Sequence, residues 1–593
     1  MHDPPARITS LYNPETHVFF HTLAKQKVMK NIAFALFFLL ALTTANAAIY
    51  TVVNTNDSGP GSLRWAIIQA NSGPNPNIIN FNIPGAGPYE INLQSPLPII
   101  NFEVDIYGYS QPGSFPASGS NPAGIKIALN GTAAGTGASG LNMSGNSCYI
   151  NGLAIYGFET GIMAGGNNNV VEGCHIGLDA TGMNPVGNAV DGIIITGQQN
   201  RIGGADASAR NVIAGHSRSI AIFPYAPANR IEGNYIGTNA TGNATIPGNG
   251  FDGIAVSSDN NTIVNNVIVG YSSNNILITL WAAGFPYPEG NIIQGNRVGH
   301  HADGSFSSFV NNCQGVSLNN GRNTTITENV IFGNGCQGVL ISGGAATGNL
   351  VSNNSIYGNA GLAINLGLDG VTPNDPGDAD LGPNRLQNFP VLESAKANAS
   401  KTKVKGFIDT SNPATVTVEF YANSAPNASG HGDGETLIGT ASPKSNGKVK
   451  TNLPPVAPGT YLSAIAIDSE NNTSEFSLSI AVTGPGGGLG RPFPGDPQVA
   501  ASGKGNAAIP KASVFPNPFS GQATIAYHLP EGRPVQLSIF SSNGQLLRVL
   551  QDGFQAAGNH QMRFNSRGLA AGVYYYRLIA GEEVHGGKMV LKP

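Results

Sequence analysis

Three charged residues set the chemical question for this chain: Asp191, Arg218 and Asp252. Each precedes a small residue and an aliphatic run, in Asp191-Gly192-Ile193, Arg218-Ser219-Ile220 and Asp252-Gly253-Ile254. If these units are successive rungs of one stack, like positions lie about 4.8 Å apart and the two carboxylates roughly 9 to 10 Å apart, with the guanidinium between them. That separation approaches the range of inverting glycosidases, and an Arg there can contact an acidic sugar. The expected catalytic set is therefore Asp191, Arg218 and Asp252. An Asp-Arg-Asp stack is equally what a repeating fold uses to neutralise adjacent like charges. The same column runs on through Thr160, Asn274, Gln314 and Gln337.

A second group is Asp369, Asp375, Asp378 and Asp380, in a segment broken by Gly and Pro. Carboxylates at such short spacing can wrap a hard cation such as calcium, although the spacing is not that of an EF-hand and an ordinary acidic turn has the same composition. His300, His301 and Asp303 are metal ligands in type, but no third histidine stands nearby, so they are expected to be solvated loop residues. His175 and His216 have no visible acid-base partner. Nucleophile elbows, phosphate loops and His-Glu-x-x-His are absent. Tyr225, Trp281, Phe285 and Tyr287 fall in the widest loops, where they either stack on sugar rings or pad the loops against the fold.

The elements that must position these residues form a repeat. Asn200, Asn229, Asn261, Asn291, Asn323 and Asn349 open successive units at steps of 29, 32, 30, 32 and 26 residues, a period that means a solenoid or array. Apolar residues alternate within the units, as in Ile193 and Ile195 or Ile254 and Val256, so the units are short strands rather than helices. Gly and Asn mark the corners, where positive φ is cheap for Gly and tolerable for Asn. Two or three such strands per coil, stacked with an amide ladder of Asn at the corners, make a parallel β-helix. A propeller needs four antiparallel strands and hairpin turns per blade, which this pattern lacks. Cys313 and Cys336 fall one coil apart, so they either form a disulfide or stack as two apolar thiols. Cys148 and Cys174 do not align, because Leu153 is the partner of Cys174.

At 593 residues the chain exceeds one core. Only 11% of residues are charged and the net charge is -4, which excludes the basic field that nucleic acid requires. The 79 glycines fit a fold of tight corners, since apolar residues stay at 40%. Residues 1–28 read as an over-extended start. Residues 29–47 read as a signal peptide, with Met29-Lys30, an apolar run from Ile32 to Leu42 and Ala45-Asn46-Ala47. That run is too short to cross a bilayer, and no transmembrane span is expected in the mature chain.

Residues 48–130 are expected to be an N-terminal cap and first coils, with strands at 50–53, 78–83 and 104–107 and an amphipathic helix over 61–71. Ser62-Leu63-Arg64 with Ala66-Ile67 and Ala70-Asn71 resembles the N-terminal motif of bacterial right-handed β-helix proteins named for a Cys-Ser-Leu-Arg-Glu-Ala signature, with Gly61 for the Cys and Trp65 for the Glu. That family's Ile-Gly-Thr-Asp-Ala-Thr-Gly loop is matched by 176–182 and 236–242, and the resemblance spans about residues 50 to 483. It implies a right-handed parallel β-helix and export. Residues 131–390 are then the β-helix, 391–483 an immunoglobulin-like β-sandwich and 484–510 a Gly/Pro-rich linker. Residues 511–593 carry Phe515-Pro516-Asn517-Pro518-Phe519, Asn543-Gly544, Ala571-Gly572-Val573-Tyr574 and Lys588-Met589-Val590-Leu591-Lys592. This order resembles the C-terminal sorting domain of the type IX secretion system. It implies passage through the periplasm and that machinery to the medium or the outer-membrane surface.

The expected protein is all-β and secreted or held at the cell surface, and it binds polysaccharide or another extracellular polymer without catalysis. The alternative is a polysaccharide lyase or glycoside hydrolase acting in a lateral groove.

Overall fold

In the computed structural model, which describes residues 47–73, 75–305, 314–425, 427, 429–484, 513–529, 532–541, 546–580 and 583–592, the chain first winds into a parallel β-helix of three sheets. Among the described residues, sheet I has eleven strands, from Ala48–Val52 to Leu350–Ser352. Sheet II has ten, from Tyr89–Asn92 to Ser355–Tyr357, and sheet III nine, from Ser139–Met143 to Ile364–Leu366. Each coil visits them in order, as in Val170–Glu172, His175–Ile176 and Asp191–Ile195. The alternation of apolar residues explains the interior. Ile150, Val171, Ile202, Ile231 and Ile263 are direct neighbours in sheet I and all are buried, each worth about 1.5 to 3 kcal/mol.

The corners explain the Gly-Asn rhythm. Asn168, Gln199, Ala228 and Asn260 take left-handed φ of 57, 57, 61 and 55°, and each is followed by a buried Asn, namely Asn169, Asn200, Asn229 and Asn261. The Asn229 N–H donates to Asn261 Oδ1 at 2.9 Å, and Asn200 N–H to Asn229 Oδ1 at 2.8 Å. A second ladder runs through Asn211, Asn234, Asn266, Asn296, Asn329 and Asn354, each backbone N–H reaching the next Oδ1 at 2.9 to 3.3 Å. Each carboxamide thus satisfies a backbone group that the corner would otherwise bury unpaired. Asn323 is one residue out of place: it has φ 46°, and Thr324 stands in the ladder, donating its N–H to Asn349 Oδ1 at 3.0 Å.

Both ends of the stack are closed. Helix α1, Leu63–Ser72, buries Leu63, Ala66, Ile67 and Ala70, and Ser62 caps it by accepting the Trp65 N–H at 3.2 Å. Arg64 ties this cap down through Asp57 at 2.8 Å and the Pro96 and Ser95 carbonyls. The Ser-Leu-Arg motif is thus a helix cap, a core residue and a clamp. Ala48–Val52 pairs in parallel with Asn77–Phe81, so it opens sheet I as well as belonging to the cap.

At the other end lies a β-sandwich. Its three-stranded sheet is Val391–Ala397, Thr402–Phe407 and Lys448–Leu453. Its four-stranded sheet is Thr436–Ala441, Thr417–Asn423, Tyr461–Ile467 and Ile480–Ala481. The sandwich seals the last coil, whose strand edges would otherwise invite pairing. Glu419 accepts the Ser352 hydroxyl at 2.5 Å, Thr473 Oγ1 accepts the Val351 N–H at 2.9 Å, and Glu475 accepts the Leu366 and Thr372 N–H groups at 2.9 and 3.0 Å. Tyr421, Ile465 and Phe476 join the β-helix core.

The C-terminal unit is again two antiparallel sheets, of three and four strands, around Phe519, Ile525, Leu537, Ile539 and Phe564. The segments 1–46 and 485–512, the Asn543-Gly544 turn and Cys313 lie outside the described residues. Cys148 and Cys174 are buried in the interior, which pushes their thiols up to about 11 and about 12. Among the described residues no helix is long and apolar enough to cross a membrane.

Candidate functional site

The expected column forms on sheet III. Thr160, Asp191, Arg218, Asp252, Asn274 and Gln314 are direct register neighbours, and Gln314 Nε2 donates to Gln337 Oε1 at 3.4 Å. Local packing dictates the small residue that follows each charge. A Cβ on Gly192 would stand 2.5 Å from the Ser219 carbonyl oxygen and 2.8 Å from the His216 ring. At the intervening rung the Ser219 hydroxyl is paired with the Tyr271 phenol at 2.6 Å.

The charges are not shared evenly. Arg218 makes a fork on Asp191, Nε to Oδ1 at 2.8 Å and Nη2 to Oδ2 at 3.1 Å, and this bond raises the guanidinium pKa further. Asp191 is 2% exposed and Asp252 8%. Asp252 accepts Asn274 Nδ2 at 2.8 Å, and burial pushes its carboxyl above the usual range. A carboxylate with both oxygens held by one guanidinium is not a free base.

Beside the column lies an aromatic strip. The Arg218 guanidinium is 5.9 Å from the Phe223 ring, Phe223 packs on Trp281 at 4.5 Å, and Tyr225 faces Phe285 at 6.0 Å. Arg322 covers the Tyr287 ring at 4.2 Å. Trp281 is 43% exposed and Tyr225 66%, so the loop aromatics are not padding sealed against the coil. The loop that carries Trp281, Phe285 and Tyr287 is pinned where it ends: the Glu289 N–H donates to Asp259 Oδ1 at 2.9 Å, and Asn323 Nδ2 to Glu289 Oε1 at 2.6 Å. Phe223, the link between column and loop, was not legible in the sequence because it follows its strand and looks like an ordinary turn residue.

The histidine expectation fails. His300 and His301 are buried, 3% and 4% exposed. The loops that begin at Gly177, Gly237 and Gly299 stack on one another, the Ala240 N–H donating to Gly182 O and the Ala302 N–H to Gly242 O, each at 2.9 Å. Leu178, Val212, Ala214, Ala240 and Ile246 form a small core with them. His301 Nε2 meets Thr245 Oγ1 and its Nδ1 meets Ser305 Oγ, both at 3.0 Å, while Asp303 stays exposed. His216 stands at a corner position, its Nδ1 accepting the Asn188 N–H at 3.2 Å and its Nε2 facing Ile176 O at 3.1 Å. Burial pushes His175, His216 and His300 down to about 4, so the three rings are neutral near pH 7. The repeated x-Ala-x-Gly at 179–182, 239–242 and 301–304 was the available signal that these loops pack together.

Of the four aspartates, Asp375, Asp378 and Asp380 bring carboxylate oxygens within 4.8 Å of one another, a group able to hold a metal ion; Asp369 is not part of it and is exposed. Asp378 accepts the Asn388 N–H at 2.7 Å and the Thr410 hydroxyl at 3.1 Å. Burial, then the neighbouring carboxylates, push Asp378 and Asp380 up.

The β-helix is thus closed at both ends and followed by a small all-β unit. Residues 513–592 match the family described as the secretion system C-terminal sorting domain, so the chain is a secreted or cell-surface protein of the type IX route. No curated protein sequence matches the chain. Among solved structures it is similar to the A-module of the Azotobacter vinelandii mannuronan C-5 epimerase AlgE6, at 14% identity and TM-score 0.36, covering 52% of this chain and 76% of that one. The A-module of AlgE4 from the same organism matches at 13% identity and TM-score 0.31, covering 54% and 92%. The enzymatically active domain of bacteriophage CBA120 tailspike protein 2 matches at 11% identity and TM-score 0.27, covering 90% and 79%.

Proposed function

We propose that this exported rod binds extracellular polysaccharide along the edge where sheet III turns back toward sheet I, without catalysis. The observation that carries the reading is the exposed set Trp281, Tyr225 and Phe285, joined through the half-buried Phe223 to Arg218 on a rigid stack. Clustered exposed aromatics mark binding surfaces, and flat rings suit the apolar faces of sugars. Trp281 and Trp65 are the two tryptophans of the chain, and Trp65 packs edge-on against Tyr50 in the N-terminal cap. Titration with the bound polymer is therefore expected to change the Trp281 emission and leave that of Trp65 unmoved. Trp281→Ala is expected to weaken polymer retention in affinity electrophoresis about tenfold or more. Unchanged retention by Trp281→Ala would remove the strip from consideration.

The second reading is a lyase or hydrolase that uses Asp191, Arg218 and Asp252. The raised carboxyl of Asp252 beside a guanidinium favours it, since such a group suits an acid. New reducing ends or unsaturated products from a panel of acidic and neutral polysaccharides would establish it.

For Asp375, Asp378 and Asp380 we propose calcium, the hard cation that carboxylate oxygens suit. Millimolar calcium is expected to raise the thermal midpoint by a few degrees, corresponding to about 1 kcal/mol for a weak extracellular site. The chelator EDTA reverses it, and Asp378→Asn removes the response. A midpoint indifferent to calcium rejects the assignment.

A further inference from the structure

The corner loops that lead from sheet III back to sheet I border a shallow, half-open cleft of about 210 Å³ lined by Gln198, Tyr225, Pro227, Ser258, Asp259 and Pro286. Sites for drug-sized ligands run to roughly 300 to 1,000 Å³, so this cleft takes one ring rather than a stretch of chain. Its lining offers one aromatic face, one carboxylate, an amide and a hydroxyl, and no Lys or Arg.

Two features mark it as built. Tyr225 has φ +65°, a conformation that costs a bulky residue on the order of 1 kcal/mol or more. The left-handed residues Gln199, Ala228 and Asn260 are accounted for because each precedes a ladder Asn, whereas Tyr225 precedes Ala226 and lies outside that pattern. Its ring is 66% exposed, so burial does not offset the strain; the backbone turn holds the ring out beside Phe285. Asp259 is fixed from behind, its Oδ1 accepting the Glu289 N–H at 2.9 Å, and its Oδ2 accepts no hydrogen bond among the described residues.

We infer that the cleft is a subsite for one neutral hexopyranose unit of a polysaccharide, its ring face on Tyr225 and its hydroxyls donating to Asp259. The assignment rests on the polysaccharide-binding reading above and adds to it the class of sugar. Hydroxyl pairs suit a carboxylate acceptor, whereas a uronate would set two carboxylates against each other with no cation in the lining. Arg218 faces the other end of the strip and is occupied by Asp191.

The test is calorimetric titration of the mature chain with neutral oligosaccharides and with uronate oligosaccharides of equal length. Neutral ligands are expected to bind more tightly, and Asp259→Asn to cost about tenfold in affinity. Tyr225→Gly relieves the backbone strain, so it is expected to keep or raise the thermal midpoint while losing about tenfold or more in affinity. Equal or tighter uronate binding, or unchanged affinity in both variants while Trp281→Ala abolishes binding, overturns the cleft assignment and leaves the polymer reading standing. A wild-type chain that retains no polymer of either class overturns both.

Discussion

Arg218→Ala is expected to lower the stability of the β-helix by about 3 to 5 kcal/mol, the cost of removing one partner of a buried ion pair. Asp191 is nearly inaccessible and both its oxygens rest on that guanidinium. Deleting the cation strands a charge in the wall of the stack. The companion variant Arg218→Ala with Asp191→Asn removes the stranded charge and is expected to recover much of the loss. Denaturant midpoints of the two variants measure this. A catalytic Arg218 gives the opposite pattern: an unchanged midpoint, with cleavage of some polysaccharide lost.

Stability is also expected to rise from pH 5 to about pH 7 and to change little from there to pH 8. Glu475, buried where the sandwich seals the last coil, is pushed by burial from its ordinary 4.5 to about 7, and Asp433 in the same seam from 3.8 to about 6. An acid raised in the folded state contributes stability that is fully present below its unfolded pKa and is lost as pH rises through the folded value. The Glu475 loss is therefore spread between about pH 4.5 and 7 and is nearly complete at pH 8. Over the same range the buried His175, His216 and His300, lowered from 6.5 to about 4, act in the other direction. Their unfolded forms take up protons that the folded ones refuse, and three such groups outweigh two acids. Glu475→Gln keeps an acceptor for the Leu366 or Thr372 N–H and avoids the buried charge. At pH 8 it is expected to be more stable than the wild type on the order of 2 kcal/mol, with little difference at pH 5. A Glu475→Gln chain less stable than wild type at pH 8 would refute this account.

The strand rhythm was legible because β-branched residues at spacing two, punctuated by Gly-Asn, have few other uses. It also carried the charged column, since Asp191, Arg218 and Asp252 hold the same place before the aliphatic pair in each coil. The slip at Asn323 shows the limit: the ladder needs a backbone N–H at that position more than an amide side chain, and Thr324 supplies it. His300 and His301 looked solvated because polar loops usually are, but loops that recur on alternate coils bury one another. The seam of Glu419, Asp433 and Glu475 gave no local signal, because each becomes an acceptor only when the sandwich meets an edge far away in sequence. The aromatic strip was half visible, as its loop members were conspicuous and Phe223 was not.

The amide ladders also bear on how such a chain changes over generations. A ladder Asn reads the coil beside it and nothing more distant, as Asn229 does with Asn261. Duplication of a whole turn of the spiral therefore leaves every other ladder bond intact, whereas a one-residue insertion inside a strand flips its side chains to the wrong face. The two sealed ends need no knowledge of how many turns lie between them, so the reach of the rod is free to drift in inheritance while its cross-section stays fixed.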